Sequence, residues 1–157
     1  MKKCFKYLFI FGFIFLIAGC TNNDKEVVRK CTLTSDQSAS GYKLNSTYEI
    51  HAKGNTVNSV ITEEVVTSSN TEILTYFEKQ LNTTYNTANE TYGGYTIDIK
   101  KDSDKLTSKV TIDYTKLDMA KFVKDNSGMK AYVNSNNKLT LDGATKIYES
   151  LGATCEK

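Results

Sequence analysis

Among the side chains of this sequence that could do chemistry, the thiol of Cys20 has the most specific setting. It follows Ile17-Ala18-Gly19, and ahead of it lies an apolar run from Tyr7 to Ala18 opened by Lys2, Lys3 and Lys6. A cysteine thiol is a nucleophile that an enzyme can modify, and small residues beside it let the backbone enter a cleft. The other candidates are weaker. His51 is the only histidine, and Glu49, Glu63 and Glu64 near it are not at ligand spacing on a helix. Asp98, Asp102, Asp104 and Asp113 gather around one expected hairpin. Paired carboxylates could serve glycoside hydrolysis or bind calcium, but polar turn residues explain this group more simply and no calcium-loop pattern is present. No CxxC, GxSxG, HExxH or Walker sequence occurs. The sequence therefore predicts no catalytic residue, no metal site and no cofactor.

The apolar run covers 12 residues, which suits a secretory signal and falls short of the roughly 20 that span a bilayer. With Ile17-Ala18-Gly19-Cys20 at its end, the N-terminus resembles the bacterial lipoprotein signal, whose box is an aliphatic residue, two small residues and a cysteine. That resemblance implies transfer of diacylglycerol to Cys20 and cleavage between Gly19 and Cys20. It also implies residence at the cell membrane as a lipid-anchored protein on the extracytoplasmic face. Two acyl chains matter because each buried CH₂ contributes about 0.8 kcal/mol and one chain holds only marginally. The expected organisation is a signal peptide over 1–19, a lipidated tether over 20–30 and one folded domain over 31–157.

Cleavage would remove Cys4 and leave Cys20 acylated, so Cys31 and Cys155 remain. Two thiols outside the cytosol, one near each end of the domain, suggest a disulfide; the competing reading is two unrelated buried thiols. Without Lys2, Lys3 and Lys6 the chain has 17 basic and 18 acidic residues, a balance that gives no electrostatic reason to expect nucleic acid. Lys outnumbers Arg 19 to 1, so the bidentate fork suited to phosphate is nearly absent.

The elements that must position any site are legible from periodicity. Tyr42, Leu44, Ser46, Tyr48, Ile50 and Ala52 alternate with Lys43, Asn45, Thr47, Glu49, His51 and Lys53, a strand with one buried face. Gly54-Asn55 is a hairpin turn, and a regular register across it sets Ala52 against Val57, Ile50 against Ser59, Tyr48 against Ile61 and Leu44 against Val65. Ser46 then faces Glu63, an exception that would lie near an edge. A capping box at Ser69-Asn70-Thr71-Glu72 predicts a helix of about four turns with Ile73, Phe77, Leu81 and Tyr85 inward. Strands follow at Tyr95–Ile99 and Leu106–Tyr114, then a short helix over 118–125. A last helix follows Asp142 as N-cap and ends at Gly152. This order predicts an α+β domain: a mostly antiparallel sheet of about five strands with two or three helices on one face.

From the long hairpin onward the chain resembles the YehR-like bacterial lipoproteins, a family defined by a domain of unknown function. The resemblance rests on the hairpin with Lys53-Gly54-Asn55 at its turn and on Thr111-Ile112-Asp113-Tyr114 before the short helix. Its third carrier is the closing Lys146-Ile147-Tyr148-Glu149-Ser150-Leu151-Gly152. The function expected of the domain is a non-catalytic binding or accessory module taking an envelope protein or a small ligand. The exposed stripe Lys43, Asn45, Thr47, Glu49 and His51 is the expected binding face. Tyr42, Tyr48, Tyr76, Tyr92 and Tyr95 could instead line a carbohydrate or peptide groove, although half-buried packing is the default for tyrosine. The alternative function is a cell-envelope hydrolase using the surface carboxylates.

Overall fold

A computed structural model describes residues 25–157. Gly19, Cys20 and the expected signal peptide lie outside the described residues. Six strands form one antiparallel sheet: β1 (Glu26–Gln37), β2 (Tyr42–Lys53), β3 (Thr56–Thr67), β4 (Tyr95–Lys101), β5 (Lys105–Asp113) and β6 (Thr154–Cys155). They run in the order β4-β5-β3-β2-β1-β6. Among the described residues three α-helices, α1 (Thr71–Tyr92), α2 (Met119–Asp125) and α3 (Leu141–Ser150), complete the α+β fold. α1 lies over β4 and β5 and α3 over β1, β2 and β3. Both use the same side of the sheet, because Phe77 of α1 packs on Tyr42 and Tyr148 of α3 stacks on Tyr48.

The strand count exceeds the expected five because β6 pairs with β1. There Cys31 faces Cys155 and the two sulfurs are bonded at 2.02 Å. The disulfide therefore closes the sheet's β1 edge with the last residues of the chain. β1 also begins at Glu26, inside the segment expected to be tether. Its first five residues pair with Lys53 back to Glu49. The polar sequence there can form strand because Arg29 lays its stem on the covered side. Its guanidinium donates to Thr145 Oγ1 at 2.9 Å and lies 3.8 Å from Asp142 on α3.

The β2–β3 register departs from the expected one by a single residue. Ala52 faces Val57 as expected, but His51 faces Ser59, leaving Asn58 as a β-bulge. Every pair beyond it shifts: Ile50 meets Val60, Tyr48 meets Thr62, Ser46 meets Glu64 and Leu44 meets Val66. The carbonyl of Asn58, which has no partner residue on β2, accepts the amide of Tyr114 at 2.8 Å. A one-residue slip exchanges the two faces of a strand, so Val60 and Val66 enter the core while Ile61 and Glu63 turn outward.

Two helix starts differ from the expected ones. Asn70, not Ser69, caps α1, its side chain accepting from the amide of Glu72. Ser68 fixes the approach by donating to the Gly41 carbonyl at 2.6 Å and accepting from the Asn70 amide at 3.1 Å. The helix runs 22 residues, longer than its apolar pattern, because Asn82 to Thr91 continue without a breaker until Gly93. Thr140, not Asp142, caps α3: its hydroxyl accepts from Gly143 and donates to the Tyr132 carbonyl. A Cβ at Gly143 would sit 2.2 Å from that carbonyl oxygen, so a glycine is what lets the loop and the helix start approach. Asp118 caps α2.

The core divides in two. Near α3, Cys31, Tyr48, Ile50, Ala52, Val57, Val60, Leu139 and Ala144 form one buried cluster. Near the first half of α1, Val66, Leu74 and Leu106 form another, flanked by Tyr42, Leu44, Phe77, Leu81 and Ile99.

Candidate functional site

The expected stripe is present as a line. Lys43, Asn45, Thr47, Glu49 and His51 all point to the side of β2 away from the helices, and register surrounds them with Thr32, Thr34, Glu63 and Val65. From Lys43 to His51 this line spans roughly 27 Å at 3.4 Å per residue, too far for one small ligand to touch both ends. Lys43 Nζ is already 3.0 Å from Asp36, and the neighbouring Glu63 lies 3.5 Å from Lys109. His51 is half-buried, not fully solvated; its Nε2 is enclosed and 3.9 Å from Glu49, beyond hydrogen-bond distance.

The carboxylates of the alternative reading are not brought together. Asp102 and Asp104 sit at the β4–β5 turn, Asp113 at the other end of β5, and Asp98 in mid-strand opposite Lys109. Asp113 is held in its ionised form chiefly by the Thr115 hydroxyl, then by Lys116 at 3.0 Å, and its carboxyl titrates below the usual range. Among the described residues no group of three or more His, Cys, Asp and Glu could hold a metal ion.

The sheet's covered side carries a polar band that the sequence reading placed wrongly. Between the two apolar clusters, Ser46 of β2, Glu64 of β3 and Ser108 of β5 lie in one register row. The expected exception was Glu63 near an edge; the bulge instead puts Glu64 there, on the third strand of six. Ser46 donates to Glu64 Oε1 at 3.4 Å, and Ser108 is fully buried with an unbonded Oγ. Burial pushes the Glu64 carboxyl up, against the opposing effect of the Ser46 hydroxyl. Tyr48, Tyr85, Tyr95, Tyr114 and Tyr148 surround this band. Burial raises each of their phenols, Tyr85 to about 12, and electrostatic coupling links Tyr85 to Glu64. The inconsistent Ser46 pairing was the signal in the sequence; the bulge that resolves it was not visible there.

Of the five tyrosines weighed as groove residues, the structure brings Tyr42 and Tyr76 together. With Phe77 they line a cleft of about 330 Å³ at the far end of β2 from the Gly54 turn, rimmed by Ser40, Asn70 and Glu72. Tyr76 is 61% exposed although its ring meets that of Phe77 edge-on. Tyr48 lies in the core, and Tyr92 packs on Phe122 of α2 instead. A second cavity, of about 230 Å³, opens at the Gly54-turn end of the sheet between Asn58, Tyr114, Met119 and Lys138.

No family model matches the chain, and no curated protein matches it. Two solved structures are similar. The NMR structure of the Escherichia coli YehR protein superposes with a TM-score of 0.55 at 19% identity, covering 85% of this chain and 93% of that one. An NMR structure of a protein from Streptococcus pneumoniae TIGR4 gives a TM-score of 0.49 at 16% identity, covering 99% and 96%. The first likeness supports a YehR-like fold.

Proposed function

We propose that this chain is an extracytoplasmic lipoprotein, anchored through diacylglycerol on Cys20, whose folded domain binds a ligand or envelope partner without catalysing a reaction. The observation that carries the reading is the Cys31–Cys155 disulfide, because such bonds persist in oxidising compartments and are rare in the cytosol. The tethering geometry agrees with it. The Lys25 carbonyl accepts the Gly54 amide at 2.8 Å, so the chain leaves the domain at the β2–β3 turn. Five residues from Cys20 to Lys25 reach at most about 18 Å, which would keep that end of the sheet near the bilayer. β2 is 12 residues long, so the Tyr42 end would stand roughly 36 Å further out. Among the described residues no helix is long and apolar enough to cross a membrane.

Palmitate labelling in the host, with membrane fractionation and protease treatment of intact cells, tests this directly. Wild type should take up label, sediment with membranes and be accessible from outside; Cys20→Ala should lose label and be released or unprocessed. Protein found soluble in the cytosol, still carrying Met1 and with Cys31 and Cys155 reduced, would overturn the proposal.

A further inference from the structure

We infer that the cleft between the start of β2 and the first two turns of α1 binds a neutral sugar ring of an oligosaccharide. This deepens the binding-module reading above and rests on it, although not on acylation of Cys20.

The rings come first. Tyr42 and Phe77 meet edge-on with centroids 5.1 Å apart at 67°, and Phe77 meets Tyr76 at 6.0 Å and 80°. The three rings form a corner, and Tyr76 remains 61% exposed. A sugar ring has one face of C–H groups and a rim of hydroxyls, so it can lie on an exposed aromatic face while its edge hydrogen-bonds. The rim here supplies both senses of hydrogen bond. Glu72 offers a carboxylate that no basic residue among the described ones pairs with, and Ser40 and Tyr76 offer hydroxyls. Asn70 has spent its Oδ1 on the Glu72 amide, leaving its NH₂ to donate.

Charge decides between a sugar and an organic cation, the other ligand that aromatic rings and a carboxylate could take. Glu72 is the only charged residue of the lining and sits in the first turn of α1. The positive end of the helix, roughly half an elementary charge, partly offsets a carboxylate there, so the cleft offers a cation little surplus negative charge. Its volume of about 330 Å³ lies at the small end of ligand sites, room for one or two rings and not a globular partner. The walls are also clamped before any ligand arrives. Ser68 bridges them by bonding both Gly41, beside Tyr42, and Asn70, which lowers the ordering cost of binding. Finally, the cleft occupies the end of β2 opposite the Lys25–Gly54 tie, facing away from the anchoring segment.

The test is a titration of the full mature protein in a polyoxyethylene detergent, which carries no sugar. Chitotriose, cellotriose and maltotriose are the probes, and choline is the charged comparison. At least one trisaccharide should shift the amide resonances of Ile73, Tyr76 and Phe77 saturably. Tyr76→Ala should weaken that binding at least tenfold and Glu72→Gln several-fold, with Lys100→Gln on the opposite side of the sheet leaving it unchanged. The inference is overturned if no trisaccharide shifts these resonances at about 10 mM, above the millimolar range of weak binding. It is equally overturned if choline produces the same shifts or if the shifts survive Tyr76→Ala. Failure here with palmitate still incorporated would remove the ligand class and leave the anchor standing.

Discussion

Glu63 and Glu64 are neighbours on β3, yet they meet opposite environments. Glu63 faces the open side, 3.5 Å from Lys109, where water screens the pair and its worth is small. Glu64 faces the helices, with the Ser46 hydroxyl as its hydrogen-bond partner and burial working against its charge. What separates them is the Asn58 bulge. The contrast shows that a single unpaired residue decides which carboxylate is solvated and which is held in the core. On the open side charge is cheap and arranged in ladders; on the covered side each polar atom is a cost the surrounding packing must offset.

The largest effects should therefore come from covered-side groups. Cys31 is fully buried there, and its bond to Cys155 spans 124 residues of sequence. Replacing both cysteines with alanine should lower the unfolding free energy by about 4–5 kcal/mol on the chain-entropy view, read from denaturant midpoints at constant slope. Leu106→Ala, at a fully buried site in the α1 cluster, should cost about 2–5 kcal/mol. Val65→Ala, on the open side of the adjacent strand, should cost less than about 1 kcal/mol. Equal losses at Leu106 and Val65 would show that the open side is covered in solution.

Glu64 sharpens the comparison through pH. Its folded-state carboxyl titrates above its ordinary value, so between the unfolded and folded pKa values the folded protein binds the extra proton. The stability it contributes is present below the ordinary carboxylate pKa and is lost as pH rises through the raised one. Glu64→Gln should remove that decline and stabilise the protein at pH 8 by about 1 kcal/mol, the mutational scale for a poorly compensated buried polar group. Unfolding curves for the two proteins at pH 4 and pH 8 decide it; an equal difference at both would mean that Glu64 is solvated.

The α+β class, the helices on one side, the Gly54-Asn55 turn and the α2 position were all readable, because each is a matter of local period or turn chemistry. So was the Cys31–Cys155 bond, by arithmetic on four cysteines. The bulge was not, since Asn58 can sit in a regular ladder as easily as out of one, and only its link to Tyr114, 56 residues on, selects the slip. Glu64 was hidden with it. Strand β6 is two residues long, too short for any periodicity. The aromatic cleft was half readable: Tyr42 and Tyr76 were singled out by type, but their meeting depends on Ser68 clamping the α1 entrance to Gly41, a contact across 27 residues.

The smallest effect belongs to Asp36, the open-side counterpart of Glu64. The Ser38 hydroxyl, then Lys43 at 3.0 Å and the Ser38 amide at 3.0 Å, bring its carboxyl down to about 2. The sign is opposite to that of Glu64. A lowered folded-state pKa gives stability that is present above the unfolded value near 3.8 and is lost as pH falls through about 2. Because the group is fully solvated, the gain is screened and should fade in 1 M salt. Asp36→Asn should flatten only the acid limb of the stability profile, and Glu64→Gln only the limb above the ordinary carboxylate pKa. If Asp36→Asn instead altered the neutral limb, or kept its effect in high salt, the two sides of the sheet would not differ in solvation.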